Sequence, residues 1–182
     1  MKADALEEVM MKALLMERKG FVELLILNGF SMSDFLTVRS LRELYNQGLQ
    51  SWPHLLEQVR RMVGPRNSLH LRDVHKVLKY VLKTHRHPLY EHDVLPGWQR
   101  TTKIQKELAK NGAKAFEDPY FELFIWAVLM NKPLLRDFFW TKCGSPLVCC
   151  ILAGAVYNTL AKIFRSKGAK NYFCNARPTF DR

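Results

Sequence analysis

Histidine is the residue type whose clustering first suggests chemistry in this chain, because neutral imidazoles are common zinc ligands. Five of the six histidines fall between His70 and His92. Their spacing does not fit a metal site: His85 and His87 are two residues apart in sequence that favours a loop, and no cysteine or carboxylate pair at ligand spacing lies nearby. We therefore predict surface histidines and no bound metal.

Cysteine is the second residue type that could bind a metal or undergo redox chemistry. The four cysteines are Cys143, Cys149, Cys150 and Cys174. They show neither paired CxxC spacing nor the even distribution of a disulfide framework, and three of them lie in apolar helical sequence. We predict reduced, mostly buried thiols in a reducing compartment.

Catalytic motifs are the third possibility, and the sequence contains no GxGxxG, GxxxxGK[ST], HExxH or GxSxG string. Ser145 lacks the strand-to-helix turn that exposes a serine nucleophile. The acidic pairs Glu7–Glu8 and Glu117–Asp118 stand at predicted helix starts, where the helix dipole favours carboxylates. The sequence therefore predicts that the chain is not an enzyme and needs no cofactor.

The apolar residues recur at helical spacing, and the first two predicted helices form a short antiparallel hairpin. The second helix carries the stripe Phe21, Leu24 and Leu25 and ends at Asn28-Gly29, where Gly29 is expected to adopt a left-handed turn. We predict that the first unit is held together by Phe21, Leu24, Leu25, Phe35 and Leu44.

Further helices are predicted along the chain. Thr37 caps one that "NQG" (residues 46–48) ends, and another begins after Ser51 and stops at Gly64. A second hairpin unit begins at Asp118-Pro119, and Leu123, Trp126, Phe139 and Trp140 are predicted to hold it.

The second unit repeats the first at an offset of 114 residues, from Ala13–Ile26 to Ala127–Trp140. A recurring helical unit is a simpler explanation than chance similarity of two amphipathic hairpins. We predict an all-α fold of stacked antiparallel hairpins, an ankyrin-like α-solenoid segment without a sheet. The predicted divisions are residues 1–50 and 116–165 for the two hairpin units, 51–84 for basic helices, 85–115 for a basic loop and 166–182 for a tail.

Positive charge is concentrated in one segment. Residues 60–114 hold thirteen Lys or Arg against four acids, which is +9 of the chain's net +11. On the helix from Leu69, one face carries Arg72, His75, Lys76, Lys79 and Lys83. A solvated face is one interpretation; the other is contact with an acidic protein surface or an inner-leaflet phosphoinositide. Nucleic acid is not expected, because the aromatic residues of this segment form no stacking surface.

The longest apolar runs, Leu123–Met130 and Leu147–Tyr157, are shorter than the ~20 residues that a membrane-spanning helix needs. Glu7 and Glu8 interrupt the start of the chain, which does not read as a secretory signal. The sequence thus predicts a chain that faces the cytosol.

Two ordered stretches carry a resemblance to a known family. In residues 20–46 the matching residues are Phe21, Val22, Asn28, Gly29, Phe35, Leu36, Thr37, Leu41, Glu43, Leu44, Tyr45 and Asn46. In residues 118–162 they are Asp118, Pro119, Glu122, Leu123, Phe124, Trp126, Ala127, Met130, Asn131, Phe139, Trp140, Leu160, Ala161 and Lys162. In this order the stretches resemble the long cytosolic N-terminal region of melastatin-type transient receptor potential cation channels.

The resemblance implies an all-helical stack of ankyrin-like hairpins below a pore, which serves as scaffold and contacts the other subunits of a homotetramer. The parent would carry cations, with calcium expected, and the chain would lie on the cytosolic side of the plasma membrane. A six-helix membrane domain is absent, and the tail after Lys162 does not resemble the family's continuation. We therefore expect a fragment that does not conduct ions. The alternative is a free-standing helical-repeat adaptor that binds an acidic protein or anionic lipid through its basic face.

Overall fold

The computed structural model describes residues 2–64, 68–82, 116 and 118–165. Its helices are α1 (Lys2–Leu15), α2 (Lys19–Leu27), α3 (Met32–Phe35), α4 (Val38–Gln50), α5 (Pro53–Val63), α6 (Leu71–Leu82), α7 (Pro119–Leu129), α8 (Pro133–Trp140) and α9 (Pro146–Arg165). No strand occurs among the described residues. The all-α prediction is confirmed for the described residues, whereas the predicted loop at 85–115 and the tail at 166–182 lie outside them.

Local sequence accounts for several helix ends. Thr37 and Ser40 form a capping box at the start of α4, in which the Ser40 N–H donates to Thr37 Oγ1 at 3.1 Å and the Thr37 N–H donates to Ser40 Oγ at 2.8 Å. Gly29 follows α2 with a φ of 87°, and Gly64 follows α5 with a φ of 95°. Both glycines stand where the backbone is left-handed, which a side chain would strain.

The turns α1–α2 and α7–α8 have the same backbone geometry. Glu17 and Asn131, which are 114 residues apart, have φ values of 55° and 49°. The next N–H reaches back in the same way in each turn, from Arg18 to Ala13 O and from Lys132 to Ala127 O, both at 2.8 Å. Left-handed residues that close a helix in this manner are common in proteins. The matching turns agree with the repeat, but the stacked-repeat arrangement stays a prediction.

α7 lies at the centre of the fold. It contacts α3, α4, α8 and α9, and every residue from Glu122 to Met130 is buried. The first and second units therefore share one core, which α6 extends by packing on α5 and α9. The largest fully buried side chains include Trp126, Phe124 and Phe139, and burial of such aromatic residues dominates the energy of a core.

The orientation of α2 corrects one prediction. Val22 is buried and Leu25 and Ile26 are partly buried against the core, whereas Phe21 and Leu24 are 60% and 54% exposed. The prediction that Phe21 and Leu24 hold the first unit is therefore wrong. The helix is apolar on two neighbouring stripes, and helical spacing alone does not select the stripe that faces inward.

The end of α4 corrects a second prediction. The helix does not stop at "NQG" but continues through Gly48 to Gln50. Gly48 is buried, and a Cβ there would lie 2.9 Å from Met130 Sδ and 3.5 Å from Trp126 Nε1. The glycine thus permits close approach to α7, and this contact outweighs its low helix propensity.

Among the described helices, none combines the length and the apolar character that crossing a bilayer requires.

Candidate functional site

The residues predicted to hold the two units lie mostly around α7. Phe35 and Leu44 are 3% and 0% exposed, and Leu123, Trp126 and Phe139 are fully buried. Trp140 is partly buried, and its indole Nε1 donates to Pro146 O at 3.0 Å, at the start of α9. The region where α4 meets α7 is therefore the best-defined candidate for a structural site. Whether these residues also serve an interface stays a prediction.

Glu122 is the unusual group in this region. It is 3% exposed, and its Oε1 atom has no hydrogen-bond partner among the described residues. Burial, followed by the charge of Asp118, raises the pKa of Glu122 to about 8. Burial, followed by the charge of Glu122, also raises the pKa of Tyr45 on α4. Glu122 is therefore protonated in the folded chain at neutral pH, because ionisation here would leave a buried charge uncompensated.

Two contacts join the turns of the hairpin units, although 117 residues separate the partners. Lys132 Nζ donates to Leu15 O at 2.9 Å, and the Leu134 N–H donates to Glu17 Oε1 at 2.9 Å. Each side chain satisfies a backbone group at the end or start of a helix, where regular helical bonding leaves groups unpaired. The sequence did not predict these two hydrogen bonds, because no local pattern indicates which distant backbone group a lysine or glutamate side chain will contact.

Asp118 joins two further elements. Its Oδ1 atom accepts from the N–H groups of Tyr120 and Phe121 at 3.0 and 3.1 Å, which caps α7 as predicted. Its Oδ2 atom accepts from the Gly144 N–H at 2.9 Å, in the turn between α8 and α9. One carboxylate thus fixes the start of the central helix against the following hairpin.

Arg136 on α8 is a further buried polar residue that the sequence analysis missed. Its side chain donates to Asp137 Oδ1 at 2.7 Å and to the Tyr157 hydroxyl at 3.2 Å, and the guanidinium lies 5.7 Å from the Tyr157 ring centroid. Although burial alone would lower it, these partners raise the pKa of Arg136. The arrangement ties α8 to α9 and offers no reactive group.

The basic face of α6 is described only in part. Lys76 and Lys79 are exposed, which places them opposite the buried Val74 and Leu78. Arg72 and His75 belong to α6, but their side chains are not among the described features, and Lys83 lies outside the described residues. The described part of the face thus carries two exposed lysine side chains.

Metal-ligating side chains and a cavity are the last two features of the described part of the chain. No group of three His, Cys, Asp or Glu side chains there could hold a metal ion. A cavity of about 20 Å³ lies between α4, α5, α6 and α7, with Tyr45, Leu49, Val59, Val77 and Met130 among its lining residues. Its volume would fit roughly one water molecule. The cavity therefore offers no room for a substrate.

Comparison with known proteins gives a consistent set of matches. Residues 1–181 match the family model described as the TRPM2-like domain. The chain is 28% identical to transient receptor potential cation channel subfamily M member 1 of Mus musculus, over 87% of this chain and 12% of that protein. It is 30% identical to subfamily M member 5 of Homo sapiens, over 84% of this chain and 15% of that protein. The trpm channel of Drosophila melanogaster is 28% identical, over 86% and 9% of the respective chains. The chain thus spans a small part of the length of these curated relatives.

The buried carboxyl predicts a specific dependence of stability on pH. The folded pKa of Glu122, about 8, lies above the ordinary value of 4.5, so the folded chain holds one more proton than the unfolded chain between these values. The Glu122 contribution to the free energy of unfolding should therefore fall as pH rises, by at most about 1.4 kcal/mol per pH unit, and level off above the folded pKa. Urea denaturation across this pH range measures the slope.

Glu122→Gln, which cannot ionise, should lose this contribution and become more stable than the wild type at the alkaline end of the range. Glu23→Gln is the matched control, since Glu23 is a half-exposed carboxylate that pairs with Lys19. Equal slopes for the wild type and Glu122→Gln would show that Glu122 does not titrate between these pH values.

Proposed function

Because the chain belongs to the family of TRPM2-like domains, we propose that it is a cytosolic scaffold segment of a cation channel of subfamily M and that it contacts the other subunits of that channel. The observation that carries the proposal is the family match over residues 1–181, which includes both hairpin units. Since the chain spans 9–15% of the relatives compared, ion conduction belongs to other parts of the parent protein. We propose calcium as the transported ion, a homotetramer as the assembly and the plasma membrane as the location.

The physical basis for a scaffold is the shared core. α7 belongs to the second unit and packs against α3 and α4 of the first, and the Glu17 and Lys132 contacts join the turns of the two units. A helical segment with one continuous core moves as a unit, because close-packed interiors transmit displacement instead of absorbing it. Such a segment is suited to transmit a displacement between a membrane domain and the rest of a large protein.

The proposed subunit contact is the outward stripe of α2, made of Phe21, Leu24 and Leu27. These side chains are 60%, 54% and 83% exposed, and their spacing places them on one side of the helix. Exposed apolar patches of this kind frequently mark interaction sites. The partner would be another subunit of the same channel, so the isolated chain should also associate weakly with itself.

Self-association tests this contact. Leu24→Asp/Leu27→Asp should shift the purified chain toward monomer in sedimentation equilibrium, because association would have to bury two carboxylates without partners. The matched control is Leu147→Asp/Ile151→Asp, which alters two residues of α9 that are 74% and 66% exposed. The α2 contact is excluded if only the α9 variant loses association, or if the wild type is monomeric at every concentration tested.

A second candidate is a free-standing adaptor that binds an acidic protein or anionic lipid through the basic face. The exposure of Lys76 and Lys79 on α6 favours it. The sequence of the transcript distinguishes the two candidate functions, since a channel segment must be accompanied in frame by a membrane domain with several apolar spans.

Vesicle binding tests the basic face. Each basic residue near an anionic membrane contributes about 1 kcal/mol, so Lys76→Glu/Lys79→Glu should weaken partitioning to phosphoinositide-containing vesicles by roughly thirtyfold or more. Lys142→Glu/Lys162→Glu changes the net charge equally at exposed positions elsewhere and serves as the control. Equal losses in both variants would indicate attraction by net charge alone, which rules out a dedicated face.

A further inference from the structure

Two buried thiols lie in contact between α8 and α9. Cys143 follows the end of α8 and is 6% exposed, and Cys149 lies in the first turn of α9 and is 0% exposed. Their Sγ atoms are 2.9 Å apart. Cys150, the next residue, is exposed. The sequence alone did not indicate the contact between Cys143 and Cys149, because a spacing of six residues across a turn does not predict one.

The surrounding hydrogen bonds fix the turn that carries Cys143. The Cys143 Sγ atom lies 3.3 Å from Trp140 O, and the Trp140 indole donates to Pro146 O at 3.0 Å. The next residue, Gly144, donates its N–H to Asp118 Oδ2 at 2.9 Å. The folded chain therefore holds the two sulfur atoms together before any reaction, as an intramolecular reaction of high effective concentration requires.

We propose that Cys143 and Cys149 are an oxidation site, at which a hydroperoxide converts the two thiols into a reversible intramolecular disulfide. A disulfide needs a sulfur–sulfur distance of about 2.05 Å, so closure requires a displacement of roughly 1 Å or less at the sulfur atoms. Side-chain rotation and a small shift of the turn can supply this displacement.

The reaction balances with the peroxide as the two-electron oxidant. The thiolate of Cys143 attacks one peroxide oxygen, the O–O bond breaks, and the products are a sulfenic acid on Cys143 and an alcohol, or water if the oxidant is hydrogen peroxide. The thiol of Cys149 then attacks the Cys143 sulfur, the S–O bond breaks, and the hydroxyl leaves as water with the Cys149 proton. Two sulfur atoms are oxidised and two peroxide oxygens are reduced.

The order of attack follows from the surroundings of the two sulfur atoms. Cys149 has no exposed surface, and burial followed by its hydrogen bond with Cys143 raises the pKa of its thiol. A thiol with a raised pKa is a poor first nucleophile, because the thiolate is the reactive form. Cys143, which retains some exposed surface, is therefore the residue that meets the peroxide, and Cys149 is the resolving thiol.

The disulfide would close a short covalent ring across the α8–α9 turn. Because Gly144 within that ring is bonded to Asp118, the ring would also fix the start of α7. Oxidation would thus stiffen the connection between the central helix and the last hairpin. A thiol reductant would restore the original state, which makes the site reversible.

The test uses the purified full chain in native buffer with hydrogen peroxide, followed by blocking of free thiols, trypsin digestion and mass spectrometry. Cys143, Cys149 and Cys150 lie in one tryptic peptide, between Lys142 and Lys162. Cys150→Ser leaves only the proposed pair in that peptide. Its peptide should lose two hydrogen atoms and both reactive thiols on oxidation and regain them with a reductant.

Two cysteine variants and a comparison in urea serve as controls. In a Cys150→Ser background, Cys143→Ser and Cys149→Ser should each abolish the loss of two hydrogen atoms. Oxidation should also proceed faster in native buffer than in urea, because the fold holds the thiols together. The proposal is wrong if the Cys150→Ser peptide keeps both thiols, if its disulfide forms only in urea, or if the product is a cross-link to the peptide that contains Cys174.

Discussion

Burial of α7 on all sides is the constraint on which the rest of the structure depends. A helix that is apolar all round cannot be stable on a surface, so the chain must cover it from several directions. α3 and α4 cover it from the first unit, and α8 and α9 cover it from the second. Gly48 permits the close approach on one side, and Asp118 satisfies the exposed N–H groups at its start. The two units are consequently parts of one core.

The sequence predicted those features that depend on neighbouring residues. The cap at Thr37, the helix start at Asp118 and the left-handed Gly29 were all indicated by local chemistry. The predictions from sequence were wrong where the local pattern fits two structures equally well. α2 has two apolar stripes, either of which could face the core, and "NQG" resembles a helix end. Packing against distant residues determines which stripe of α2 is buried and where α4 ends, and the residue spacing within a single helix does not contain this information.

The family was predictable because the resemblance rests on an ordered set of residues and not on the packing role of each one. The resemblance to the N-terminal region of melastatin-type channels is confirmed by the match over residues 1–181. Phe21 illustrates the difference, since it belongs to the matching pattern yet is 60% exposed. Contacts between distant residues could not be predicted. Lys132 with Leu15 and Cys143 with Cys149 became visible only in the folded chain.

Native-state hydrogen exchange of the purified chain tests the central claim, that α7 joins both units into one cooperative structure. The account predicts that backbone amides of α7 exchange only by global unfolding, with the same free energy as the slowest amides of α4 and α8. As urea is raised within the range in which the chain stays folded, the opening free energies of these amides should also converge on one value. Exchange of α7 through a smaller opening, while either hairpin unit remained protected, would contradict the account.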